Sequence, residues 1–195
     1  NSSSVTNTGN MTASNNFELF INHLHNTGLL HSNGGLLLNS LQSFYNSGKM
    51  EGKDISLLTD INLTNNGQIT ALNSLNLGAN NLVNEGEIQG VAVSINANDI
   101  TNNKDILAVN CLNITASRLA NNGQMTANDN LVLLLNDLMN QGLLASGKDL
   151  SLGSLSFLSN FGDISGGNIL LSLSESLQNY GTITGTNLLS LSVYN

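Results

Sequence analysis

Proline and tryptophan are absent from the 195 residues, and cysteine occurs once, at Cys111. The missing proline removes the residue that most readily interrupts a strand ladder. A single cysteine excludes an internal disulfide, and no CxxC or Cys/His cluster of zinc type is present. Charge is scarce: 9% of residues are charged, five basic against thirteen acidic, for a net charge of −8. An ordinary domain carries about 25%. The bases Lys49, Lys53, Lys104, Arg118 and Lys148 are scattered and form no stripe for phosphates, so nucleic acid is not an expected partner. No apolar run is long enough for a membrane helix. Residues Asn1 to Asn10 lack the basic start and apolar core of a signal peptide. Targeting is therefore expected elsewhere in a longer parent, or to have been removed.

What is abundant is Asn (35), Leu (36) and Gly (19). They are not scattered. A motif of Asn, any residue, Gly, any residue, apolar, any residue, small recurs along the whole chain. Its Gly position falls at Gly9, Gly28, Gly48, Gly67, Gly86, Lys104, Gly123, Gly142, Gly162 and Gly181, in steps of 18 to 20 residues. Two residues earlier stand Asn7, Asn26, Asn46, Asn65, Asn84, Asn102, Asn121, Asn140, Asn160 and Asn179. Two residues later stand Met11, Leu30, Met50, Ile69, Ile88, Ile106, Met125, Leu144, Ile164 and Ile183. Four later, the column from Ala13 through Ala71 and Ala127 to Gly185 is always Ala, Ser or Gly.

The rest of each unit alternates apolar and polar, as in Leu75 and Leu77 or Leu131 and Leu133. Period two marks strands with one buried face. A third apolar position follows, at Leu63, Leu82 and Leu119 among others. No run sustains helical spacing without Asn or Gly intruding. Units near 19 residues are too short to carry a helix each. The pattern predicts an all-β fold: a right-handed parallel β-helix of about ten coils with three faces. It predicts one repeat domain over 1–195, a rod of roughly 48 Å at about 4.8 Å per coil. No polar cap is visible at either end, so the chain is expected to be a segment of a longer rod.

Each column has an expected role. The apolar column should be the core, and the small column a tapered corner. The Asn column should be a stacked amide ladder in a turn, with a row of ligand-binding amides as the functional alternative. The Gly column should sit at positive φ or against a neighbouring chain. Lys104 departs from that column at the only 18-residue step, which predicts a local distortion.

Reactive chemistry is sparse. Asp60, Asp99 and Asp137 map near the third apolar patch, two coils apart, too far for paired acid/base work. Glu85 and Glu87 flank Gly86, with Lys104 one coil away, and suggest a surface ion pair. His23, His25 and His31 are expected to be exposed or stacked rings, and Cys111 a small buried hydrophobe. Serine is common, yet no nucleophile elbow and no Ser–His–Asp set is visible. No catalytic, metal or cofactor residue is assigned, and no enzyme is expected. Phe161 and Tyr180 fall between ladder Asn and motif position on adjacent coils, so they should stack outward beyond Gln141 as a contact surface.

Units such as Asn65–Leu82 (NNGQITALNSLNLGANNL) and Asn121–Leu138 (NNGQMTANDNLVLLLNDL) resemble the repeats of filamentous haemagglutinin-like exoproteins, the stick-like proteins of two-partner secretion and contact-dependent inhibition. The resemblance runs the length of the chain. It implies a right-handed β-helix, export by a partner outer-membrane transporter, and display at the bacterial cell surface. It further implies a shaft that carries an adhesive or toxin region towards a receptor or glycan on a host or neighbouring cell. The heavy Asn and Leu load and the scarcity of bases depart from the family, as does the lack of a secretion region or toxin domain. The alternatives are a carbohydrate-active β-helix enzyme, for which the short steps leave no groove-building insertions, and a glycan- or receptor-binding flank.

Overall fold

A computed structural model describes residues 3–194. The chain is all-β, a right-handed parallel β-solenoid of about ten turns near 19 residues each. Among the described residues every strand pairing is parallel. No helix among them is long and apolar enough to cross a membrane.

One coil displays the plan most plainly. Its strands Lys49–Gly52, Asp54–Thr59 and Asn62–Asn65 lie on the first, second and third faces of the rod. In other coils neighbouring strands run together around a corner, as in Glu87–Asn102 and Asp105–Asn121. Like residues superpose from coil to coil. Met50 pairs with Ile69 and Ile69 with Ile88 on the first face. Ile55 pairs with Leu75 and Leu57 with Leu77 on the second. Leu63 pairs with Leu82 on the third.

The alternation read from the sequence sets what is buried. Leu30, Met50, Ile69, Ile88, Ile106, Met125, Leu144 and Ile164 are all inside. Met11 and Ile183, in the first and last coils, are only partly covered. Each fully buried member contributes about 1.5–3 kcal/mol of transfer free energy. The small column lines a tight corner. A Cβ on Gly52 would lie 3.2 Å from Ile55 Cγ1 and 3.3 Å from the Leu36 Cβ, so even an alanine methyl there requires its neighbours to give by a few tenths of an ångström.

Coils of unequal length are reconciled by shifts at corners, not in the faces. The extra residue between Gly142 and Gly162 enters between Leu134↔Gly153 and Asp137↔Phe157, at the corner leading to the third face. The short step from Gly86 to Lys104 is taken up between Gly90 and Ala92.

The motif glycines have a reason different from one of the two expected. None of them adopts positive φ. They are glycine because the turn backbones of successive coils touch: a Cβ on Gly67 would sit 2.1 Å from Gly48 O, and one on Gly86 2.1 Å from Gly67 O. The neighbour is the preceding coil of the same chain. Lys104 brings a side chain into this column, and the ladder opens locally. The Asp105 N–H donates to Gly86 O at 3.4 Å, against 2.9 Å for Glu87 N to Gly67 O and 2.8 Å for Gln124 N to Lys104 O.

This contact separates two chemically identical substitutions. Gly67→Ala drives a methyl into backbone and should cost about 1–3 kcal/mol. Gly9→Ala has nothing within 4 Å and should stay within about 0.5 kcal/mol of wild type. Urea melts followed by circular dichroism would compare them, and equal midpoints would contradict the contact.

Candidate functional site

The ten ladder asparagines end the third-face strands and turn inward. Each amide Nδ2 donates to the Oδ1 of the next: Asn7 to Asn26, Asn26 to Asn46 and Asn46 to Asn65 at 2.8 Å, Asn65 to Asn84 at 2.9 Å, and Asn84 to Asn102 at 2.8 Å. The chain continues through Asn121, Asn140 and Asn160 to Asn179 at 2.8 Å per step. The same nitrogens also donate to turn carbonyls. Asn65 Nδ2 reaches Gly67 O at 3.2 Å and, one coil on, Glu87 O at 3.1 Å. Only a primary amide both donates and accepts in this geometry; a carboxylate has no proton to pass on.

Asn26, Asn65, Asn84, Asn102, Asn121, Asn140 and Asn160 have no measurable exposure. Their hydrogen-bonding groups face one another and the backbone. The ladder is an internal fastening, and the alternative of a ligand-binding row would need those amides at the surface.

The histidines do not converge. His23 Nδ1 meets Ser43 Oγ at 2.9 Å. His25 packs edge-on against Tyr45 with ring centres 4.7 Å apart. His31 touches Asn33 through Nε2 and Glu51 through Nδ1. Among the described residues no three His, Cys, Asp or Glu side chains converge to hold a metal. Cys111 is half-exposed, not buried as expected, because it lies at the first corner where its register partner Ala92 also faces outward.

The expected pairing of Lys104 with Glu85 or Glu87 is not formed. Among the described residues the ion pairs are His31–Glu51, Lys49–Glu51, Arg118–Asp99 and Lys148–Asp129. Asn103 Nδ2 donates to Glu85 at 2.6 Å and Gln68 Nε2 to Glu87 at 2.9 Å, so amides hold both carboxylates. Asp54, on the second face, accepts from Ser74 Oγ at 2.5 Å and Asn73 Nδ2 at 2.8 Å. Those bonds hold its carboxyl below the usual aspartate range. That tether is in place above the unfolded-state value and is lost as pH falls through the lower folded value.

The acidic residues singled out from the sequence separate in space. Asp60 lies in the bend between the second and third faces, off the column that holds the other two. On the outward side of the third face, strand register places Asp99 against Arg118, Arg118 against Asp137, and Asp137 against Phe157. Arg118 grips Asp99 with two bonds, Nε to Oδ1 at 2.5 Å and Nη2 to Oδ2 at 3.0 Å. The guanidinium holds the Asp99 carboxyl low, and the carboxylate raises the Arg118 pKa in return. A depression of about 510 Å³ opens beside this row, over Thr101 and Ala120 and against Met139 and Phe157. Sequence reasoning named Arg118 only as a scattered base and did not single out Met139 or Phe157. Counting back three residues from each ladder Asn finds the whole row: Asp99, Arg118, Asp137, Phe157.

Phe161 and Tyr180 stack face to face, 4.9 Å between ring centres and 14° between planes, and are 53% and 70% exposed. Gln141 lies on the preceding coil and reaches Met139 Sδ at 3.8 Å. Compared with protein-family models, curated proteins and solved structures, the chain matches none.

Truncating the ladder should be costly. Asn102→Ala leaves Asn84 without its acceptor and Asn121 without its donor, a loss of about 2–6 kcal/mol at roughly 1–3 kcal/mol per orphaned group. Asn102→Asp adds a buried carboxyl whose folded pKa must rise above its unfolded value. Its protein should be markedly less stable at pH 7 than its own value near pH 4, the reverse of the acid loss expected at Asp54. Thermal melts at the two pH values check the sign.

Proposed function

We propose that this chain is a length of structural shaft in a filamentous haemagglutinin-like exoprotein, either an adhesin or a contact-dependent inhibition protein. On this reading a partner outer-membrane transporter exports it to the cell surface. There it spaces a binding or toxin region away from the cell, towards a receptor or glycan on a host or neighbouring cell.

The observation that carries this reading is the unbroken stack. Nine consecutive steps of 18 to 20 residues keep the Asn, apolar and small columns in register, with no inserted loop long enough to wall a substrate groove. A rod fastened inside by amides and aliphatic side chains is suited to transmitting position over distance. The resemblance of the Asn-x-Gly units supplies the secretion and surface role. The row Asp99, Arg118, Asp137 gives an enzyme reading little support, because Arg118 lies between the two carboxylates, where a scissile glycosidic bond would have to sit.

The test is a chimera that carries this chain behind the secretion region of such an exoprotein, expressed with and without its partner transporter. The chain should reach protease and antibody at the intact cell surface only with the transporter. Retention inside despite the transporter would overturn the placement. In a parallel assay the purified chain should release no reducing ends from neutral or acidic polysaccharides. Sustained release would replace the shaft with a carbohydrate-active enzyme.

A further inference from the structure

We propose that the outward third face around Asp137 and Phe157 is a docking surface for a partner protein that inserts a lysine or arginine from a basic segment. Arg118 is committed to Asp99 by two hydrogen bonds, which leaves Asp137 on its other side. Among the described residues the Asp137 carboxylate has neither an ion-pair nor a hydrogen-bond partner. The local sum is one negative charge, on a chain whose net charge is −8.

The surroundings suit a cationic side chain with an apolar stem. Phe157 stands beside Asp137 in register and is 48% exposed; Met139, two residues on from Asp137, is 40% exposed. A cation over an aromatic face is drawn by the ring quadrupole, and the stem of a lysine or arginine lies along apolar surface. The short side chains of Thr101 and Ala120 floor the depression beside them, giving the stem a place to enter. Exposed Phe, Met and Arg together are the residue types enriched where proteins meet. The field of the whole rod draws a basic partner and repels an acidic one. A neutral sugar could hydrogen-bond the carboxylate but would gain nothing from the net charge of the rod.

This surface does not depend on the shaft reading. Binding to the soluble full chain, by calorimetry and by chemical shifts at Arg118 Nε and the Phe157 ring, tests it without secretion. The probes are a short Lys/Arg/Leu peptide, its Glu-substituted counterpart, and neutral N-acetylglucosamine oligomers. The basic peptide should bind and shift both groups, weakening about tenfold between about 50 and 300 mM salt. Asp137→Asn and Phe157→Ala should each weaken it about fivefold or more with an unchanged circular dichroism spectrum. Glu18→Gln, an equal charge change on another face, should leave it unaltered. Failure of the basic peptide to bind, equal binding of the acidic peptide, indifference to both variants, or shifts produced by the sugar alone would each overturn the proposal.

Discussion

A hydrogen bond between two asparagine side chains, repeated from Asn7 to Asn179, is the contact on which the rest of this rod depends. Backbone ladders alone do not select a register, since any parallel offset pairs N–H with C=O. Apolar columns select it only as far as side-chain alternation does, because a slip of two residues keeps Leu over Leu. The amide ladder removes that freedom. Its groups are buried, so an offset coil would leave a donor and an acceptor dry and unpaired, at about 1–3 kcal/mol each. One polar column therefore fixes coil length near 19 residues, and the corners absorb the coils of 18 or 20.

The glycine contacts act in the same direction. Turn backbones that touch from coil to coil leave no space for a Cβ, and so the two columns flanking each turn are restricted together. The outward positions carry no such restriction. The third face runs through Asp99, Arg118, Asp137 and Phe157 without repeating a residue type between neighbours. A rod of this kind keeps its inside uniform for stability. Its outside is free to vary, and its chemical individuality lies there.

Much of this was legible in the chain. Columns at fixed offsets from Gly67 or Gly86 identify the coil, the core and the ladder, because each depends only on distance along the sequence from a repeated turn. The row on the third face was less legible for a definite reason. Measured forward from the motif glycine its members stand at drifting offsets, since the corner shifts lie between. Measured back from Asn102, Asn121, Asn140 and Asn160 they stand at one offset. Asp60, counted forward, looked like a member of that row and is not.

Sequence by itself determined the winding, the buried columns and the outward stack of Phe161 on Tyr180, since all follow from periodicity and alternation. Only the tertiary structure decided which neighbours the charged groups take. Glu85 and Glu87 bond to amides and leave Lys104 aside, and Arg118 commits to Asp99 and not Asp137. Those choices turn on side-chain reach and rotamer across coils about 4.8 Å apart, where two partners lie equally near along the column and local geometry breaks the tie.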